Sequence, residues 1–203
     1  MLLDFKNLFI KYNMNISGVI HIGAHYGEEH SLYKELKITN INYFEPLNKN
    51  FNILKNNIKD SNLYNFALGE KETTIEMFVE ENNNGQSSSI LEPKLHLQQY
   101  PHIIFNKKEI VNMRTLDSFN INNCNLINID VQGYELNVFK GGINTLNNID
   151  YIITEVNNDE VYKNCSKIND LDLFLENFHF KRVETTWDGI TWGDALYIKK
   201  GVN

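Results

Sequence analysis

The residues of this 203-residue chain best suited to chemistry stand at the ends of strand-like runs. Gly23-Ala24-His25-Tyr26-Gly27 follows the β-rich run Gly18–Ile22 and precedes a helical pattern. Glycine in such a turn lets backbone approach a ligand with no Cβ between them. The free N–H groups at the following helix start favour an anionic group. The spacing Gly23-x-x-x-Gly27 differs from the G-x-G-x-x-G of dinucleotide oxidoreductases, and His25 and Tyr26 fill space that a pyrophosphate needs. The turn therefore suits a ligand bearing a carboxylate and a ribose. Glu45 ends the second strand-like run, 22 residues after Gly23. An acid at about that distance is placed to accept hydrogen bonds from ribose hydroxyls. Pro46 closes that run, and Asn65-Phe66-Ala67, ending the third, would sit beside a base.

A second group could move protons. Asp130 ends the apolar run Leu126–Ile129, and Glu155 lies near the end of Tyr151–Val156. Ligands of open α/β sheets gather at such carboxyl ends. Asp130 is thus the first candidate for a general base, with Glu155 beside it. Two neighbouring acids can share a proton, or hold a divalent ion such as Mg²⁺ with Asn157 completing an oxygen set. The competing reading is that Asp130 positions backbone and acceptor only. His25 and His30 are alternative bases, titrating near neutral pH. His96 and His102 read as surface residues of a loop. Trp187 and Trp192 flank Asp188–Thr191 and form either a wall for a sugar ring or the packing of a sheet edge.

Strand and helix patterns alternate along the chain, the mark of a parallel sheet with crossover helices. Residues 1–15 contain an amphipathic helix, with Phe5, Leu8, Phe9 and Tyr12 on one side. Further helices are expected from Glu28 to Leu36, around Phe51–Ile58, after Gly133 and from Leu171 to Phe178. Strands are expected at Gly18–Ile22, Asn42–Glu45, Leu63–Ala67, Thr73–Glu80, Ile110–Arg114, Leu126–Asp130, Tyr151–Val156, Phe180–Thr185 and Ala195–Ile198. Residues 81–106 form a polar insertion that could cover an acceptor site. Residues 1–203 read as a single domain, with no repeat or linker.

Composition narrows the function. With 42% hydrophobic and 22% charged residues, the chain is an ordinary globular one. A net charge of −7 with no basic cluster argues against a nucleic-acid partner. Cys124 and Cys165 are too few for a disulfide framework or zinc spacing. Met1–Lys6 lacks the apolar run of a signal peptide, and no stretch is long enough to span a membrane. A soluble cytoplasmic protein acting on a small, neutral or mildly polar molecule is expected, and a homodimer is compatible with all of this.

The run Ile127-Asn128-Ile129-Asp130-Val131-Gln132-Gly133-Tyr134-Glu135-Leu136-Asn137-Val138-Phe139-Lys140-Gly141-Gly142 resembles the signature of FkbM methyltransferases, an acid-Val-Glu-Gly-x-Glu pattern with an apolar-Lys-Gly ending. Tyr43–Pro46, Phe66–Gly69, Ser87–Ser89 and Arg114–Asp117 are similar to shorter elements of that family, in its order. The resemblance runs from about residue 17 to residue 199. It implies a Rossmann-like class I methyltransferase fold: a seven-stranded, mostly parallel sheet with an antiparallel last strand and helices on both faces. It implies S-adenosyl-L-methionine as cofactor, held by His21, Gly23, His25, Tyr26, Gly27, Glu45, Pro46, Phe66, Ala67, Asp130 and Gln132. It implies a hydroxyl acceptor, commonly on a sugar or glycan. Two positions depart from the family: His21 stands where many members carry an acid, and Gln132 replaces the usual Glu. Glu135 belongs to the signature and reads as a local cap. The alternatives are a nicotinamide-dependent oxidoreductase on a similar scaffold and a non-catalytic binding module.

Overall fold

The computed structural model describes residues 2–202. Its centre is built from the apolar runs Val19–Ile22 (β1), Ile41–Phe44 (β2), Leu126–Ile129 (β7) and Tyr151–Asn157 (β8), each buried at every position. Continuous burial is what a strand needs when both sheet faces are covered. Together with Asn62–Tyr64 (β3), Phe180–Asp188 (β9) and Trp192–Lys199 (β10) they form a seven-stranded sheet in the order β3-β2-β1-β7-β8-β10-β9. The first five strands run parallel. β10 pairs antiparallel with β8 and with β9, so the last strand is antiparallel as expected.

Alternation along each strand sorts side chains to two faces. Ile20, Ile22, Ile127, Ile129 and Ile152 meet Val138 and Phe139 of Glu135–Lys140 (α5) and Leu171 and Leu175 of Ile168–Glu176 (α7). On the opposite face Val19, Ile41, Leu126 and Ile153 meet Phe5 and Leu8 of Phe5–Lys11 (α1). Tyr33 of His30–Glu35 (α2) and Leu54 of Asn48–Asn57 (α3) complete that layer. His21, Asn128 and Glu155 interrupt this second face at the carboxyl end, where they are buried polar groups.

The expected third strand divides. β3 ends at Tyr64, and Ala67–Leu68 (β4) leaves for a separate three-stranded sheet, pairing with Lys107–Arg114 (β6), which in turn pairs with Thr73–Val79 (β5). Asn65 marks the break, its amide donating to the carbonyls of Glu45 and Pro46. The helices after Gly27 and Gly133 begin two residues later than the glycines suggest, at His30 and Glu135, and α7 begins earlier, at Ile168. Within residues 81–106 lies a short helix, His96–Gln99 (α4), tied to β8's outgoing loop by Lys94 and His96 N–H groups donating to the Val161 carbonyl. Among the described residues no helix is long and apolar enough to cross a membrane.

Candidate functional site

The carboxyl ends of β1, β2, β7 and β8 converge on two adjoining hollows. Their meeting depends on Gly23, whose φ of +80° lies in the left-handed region. A Cβ there would come within 1.8 Å of the Asp130 carbonyl oxygen. The Gly23 and Ala24 N–H groups donate to the Phe44 carbonyl, which stitches the turn to β2. Gly27 also has positive φ, but its place is set by packing: a Cβ would strike Ile58 and Leu54 beside α3.

The first hollow is a narrow slot lined by Gly23, Glu45, Pro46, Phe66, Ala67 and Tyr134, with Gly85–Ile90 as its outer wall. Glu45 is 5% exposed. Its two carboxylate oxygens accept the N–H groups of His25 and Leu47, each at 2.9 Å. Burial outweighs those hydrogen bonds and pushes its pKa up to about 7. Each oxygen retains a second lone pair for a ligand hydroxyl. Phe66 presents an aromatic wall and packs edge-on against Phe119.

The second hollow is a cavity of about 650 Å³ over β7, β8 and β10. Gly23, His25, Gln86, Asp130 and Gln132 line both hollows and form their junction. At that junction the Gln132 side chain organises the acids. Gln132 Oε1 faces the Tyr162 hydroxyl at 2.7 Å, whose one proton also serves the Ser87 carbonyl at 2.8 Å. Gln132 Nε2 then donates to Asp130 Oδ1 and Glu155 Oε2, both at 2.7 Å. Asp130 is exposed, whereas Glu155 is 4% exposed. Burial, reinforced by the nearby Asp130 carboxylate, raises the Glu155 pKa well above the usual carboxylate range. Burial thus favours the neutral form of Glu155, and Asp130 is the accessible acid of the pair. Glu135 Oε1 accepts the Val131 and Gly133 N–H groups, the local cap that the signature suggested.

The proposed ion site changes composition. Carboxylate oxygens of Asp130, Glu135 and Glu155 lie within 4.8 Å of one another, so Glu135 takes the place expected for Asn157. Asn157 turns its Nδ2 toward Glu155 Oε1 at 3.4 Å, donating rather than offering oxygen. One Glu135 oxygen is spent on backbone. The Gln132 amide occupies the point an ion would take between Asp130 and Glu155, while Glu135 Oε2 and Asn157 Oδ1 are buried without a hydrogen-bond partner.

The histidines separate by role. His25 has both ring nitrogens engaged, with Glu28 Oε1 at 2.6 Å and the Asn84 carbonyl at 2.9 Å. It latches the 84–90 segment to the turn, stacked on Tyr26 at 3.7 Å. Tyr26 reaches the same Asn84 carbonyl, and neither it nor Gly27 lines a hollow. His30 points away, to Tyr43 and Asp60. His21 lines the cavity in a chain in which Asn128 Nδ2 donates to the Tyr33 hydroxyl, 2.7 Å, and that hydroxyl meets His21 Nδ1, 3.2 Å. Burial lowers the His21 pKa.

Sequence patterning missed most of the outer wall. His96, read as a surface residue, is 4% exposed and lines the cavity, and burial lowers its pKa to about 4. Its neighbours Tyr100, Phe105 and Tyr162 are scattered in sequence and gave no periodic signal. Asp194 faces Glu155 across the β8–β10 ladder, and Leu2 and Leu3 N–H groups donate to its Oδ2. Trp192 lines the cavity with Nε1 donating to the Tyr100 hydroxyl, 2.9 Å, whereas Trp187 is 37% exposed and stands outside it.

The methyltransferase FkbM domain family matches residues 21–182. The 2-O-methyltransferase NoeI of Sinorhizobium fredii (strain NBRC 101917 / NGR234) is 32% identical over 111 residues, 50% of this chain and 45% of that protein. The chain thus spans less than half the length of this curated relative. Among solved structures, a methyltransferase FkbM from Methylobacillus flagellatus KT superposes with TM-score 0.58 at 14% identity, covering 90% of this chain and 43% of the other. TrmK of M. capricolum in complex with S-adenosyl-homocysteine gives 0.52 at 14% identity, covering 98% and 70%. The magnesium protoporphyrin IX methyltransferase ChlM of Synechocystis PCC 6803 with bound SAM gives 0.52 at 9% identity, covering 96% and 76%. At these identities the structural likenesses concern the fold.

Proposed function

Because the chain belongs to the FkbM methyltransferase family, we propose that it is an S-adenosylmethionine-dependent O-methyltransferase acting on a hydroxyl of a sugar or glycan. One observation carries the reading: the accessible acid Asp130 stands where the narrow Glu45-lined slot and the larger cavity share a wall. The name of the relative NoeI, a 2-O-methyltransferase, supports oxygen as the acceptor atom. The family match also removes the reason for a nicotinamide-dependent oxidoreductase.

The residues present fit the cofactor. Gly23 supplies backbone with no Cβ, Glu45 supplies two carboxylate lone pairs for ribose hydroxyls, and Pro46, Phe66 and Ala67 supply apolar walls. Admission of a nucleoside to so narrow a slot requires the 84–90 segment to yield. Its tip is held by the His25 and Tyr26 contacts to Asn84, and its root by the Phe78–Ser89 bridge and hydrogen bonds joining Ser87, Ser88 and Ser89 to Tyr162, Glu80 and Gln132. When bound, S-adenosylmethionine supplies a methyl group on a sulfonium already activated for in-line displacement. The protein's contribution is to hold the acceptor oxygen in line and receive its proton. Holding reacting atoms in a near-attack geometry is worth about 7–11 kcal/mol at best. Asp130 takes the hydroxyl proton on Oδ2, while the Gln132 amide holds Oδ1 and Glu155.

The test has two parts. S-adenosylhomocysteine should raise the melting temperature, and Glu45→Ala should abolish that shift. Asp130→Asn should retain the shift but lower kcat by about 10²–10⁴-fold, the range for loss of a general base. An unchanged kcat in Asp130→Asn, with methyl addition followed by mass, would remove Asp130 from the role.

A further inference from the structure

The large cavity is lined by six carboxylates, Glu28, Glu29, Asp130, Glu155, Asp188 and Asp194, and by no Lys or Arg among the described residues. Of its four histidines, His21 and His96 are held toward their neutral forms by burial. The acids divide by position. Glu28, Glu29 and Asp130 stand beside Gly23, on the side where the cofactor's own positive charge would lie. Glu155 on β8 adjoins Asp130, their carboxylate oxygens within 4.8 Å, and Asp188 and Asp194 stand beyond it on β9 and β10, away from the slot.

That far wall is built. Asp194 sits directly opposite Glu155 in the ladder, with one oxygen held by the Leu2 and Leu3 N–H groups. Asp188 accepts the Tyr100 hydroxyl at 3.1 Å, and Tyr100 accepts the Trp192 indole N–H. His96, packed against Tyr100, is 4% exposed with Nδ1 lacking any hydrogen-bond partner. Burial and repulsion from neighbouring carboxylates favour the protonated forms of Glu155 and Asp194 in the empty cavity. A bound cation relieves that repulsion, and an indole beside it adds a favourable aromatic face. Phosphate or carboxylate on the acceptor would meet only like charge.

We infer that the acceptor is a hydroxyl compound carrying a protonated amine, an amino sugar or amino alcohol, whose ammonium sits among Glu155, Asp188 and Asp194. This rests on reading the cavity as the acceptor site. It narrows the sugar class and excludes phosphorylated and uronic acceptors, nucleotide sugars included.

The experiment measures binding of three matched probes, methyl glucosaminide, methyl N-acetylglucosaminide and glucosamine 6-phosphate, by calorimetry with and without saturating S-adenosylhomocysteine. The free amine should bind about tenfold or more tightly than the N-acetyl form, weaken with added salt, and the phosphate should not bind measurably. Asp188→Asn, at an exposed position, and Asp194→Asn should each reduce the amine preference at unchanged S-adenosylhomocysteine affinity. Equal or tighter binding of the N-acetyl or phosphorylated probe, or no amine binding at all, overturns the inference. So does a preference that survives in the doubly substituted protein. Absence of S-adenosylhomocysteine binding would instead sink the methyltransferase reading, while the amine arm without cofactor still reports on this wall.

Discussion

Gln132 shows how a single side chain sets the chemistry of its neighbours. Its Oε1 faces the Tyr162 hydroxyl and its Nε2 faces the acids Asp130 and Glu155. Two N–H bonds to carboxyls do the work a cation would otherwise do, at no cost in added charge. Wild-type turnover is therefore expected to be unchanged in EDTA. Gln132→Glu exchanges the donor for a half-buried acid, leaving Asp130, Glu135 and Glu155 with a fourth carboxyl and no donor between them. Like charges crowded at a partly buried site, with the donor's hydrogen bonds lost, cost roughly 1–3 kcal/mol. The variant should melt several degrees lower in EDTA and recover on addition of Mg²⁺ or Mn²⁺, as measured by scanning calorimetry. A wild-type enzyme silenced by EDTA, or a variant indifferent to divalent ions, would refute this account. The sequence made Asp130, Glu155 and Glu45 legible because acids at strand ends have few other reasons to be there. It could not reveal that the Gln132 amide joins two of them, since that depends on a tyrosine thirty residues away in another loop.

Elements explain which parts of the fold were readable. β1, β2, β7 and β8 are mostly apolar, β-rich runs, and the first three stop at Gly23, Glu45-Pro46 and Asp130, so their type and those limits follow from composition. The division of the third strand was not readable, because Leu63 to Ala67 has an unbroken strand-like composition and the exit is made by Asn65 bonding to another strand's carbonyls. The 81–106 segment gave only polarity and length. Its burial of Ser87–Ser89 and His96 comes from tertiary contacts with Gln132, Tyr162 and Val161. The β1–β7 junction offers the sharpest test at this scale. Gly23→Ala places a methyl 1.8 Å from the Asp130 carbonyl in a left-handed conformation, so strands must part or Asp130 must move. Gly189→Ala is the matched control, with φ +62° and nothing within 4 Å of the added Cβ. The control should cost about 1 kcal/mol, and Gly23→Ala roughly 2–4 kcal/mol with loss of turnover. Equal denaturation midpoints for the two variants would mean that the close approach at Gly23 is unimportant.

For the whole molecule, the site imposes a cost that pH should expose. Glu45 and Glu135 are driven up by burial, to about 7 for each, and Glu155 further. An acid with a raised folded-state pKa binds more protons folded than unfolded. Its stabilising effect is complete below the unfolded value near 4.5 and is lost as pH rises through 7. The buried histidines act in the opposite sense over a lower range. His96, lowered to about 4, and His21 favour the folded state increasingly as pH rises toward 6.5, and contribute no further change above it. The lowered acids of exposed ion pairs, Asp60, Glu160 and Glu184, respond only in more acidic solution. Between pH 6.5 and 8 the raised acids therefore act alone, and the ligand-free protein should become less stable. Each group titrating near 7 contributes about 1 kcal/mol over that interval, equivalent to roughly 2–4 °C in melting temperature for a chain of this length. Glu45→Gln should flatten the decline by about that amount. S-adenosylhomocysteine should flatten it also, because ribose hydroxyls donating to Glu45 favour its ionised form. The expected trace is a melting temperature that falls from pH 6.5 to 8 without ligand and falls less with it. A ligand-free melting temperature that rises over the same interval would show that these carboxyls are not held protonated, and Glu155 would then compete with Asp130 for the role of base.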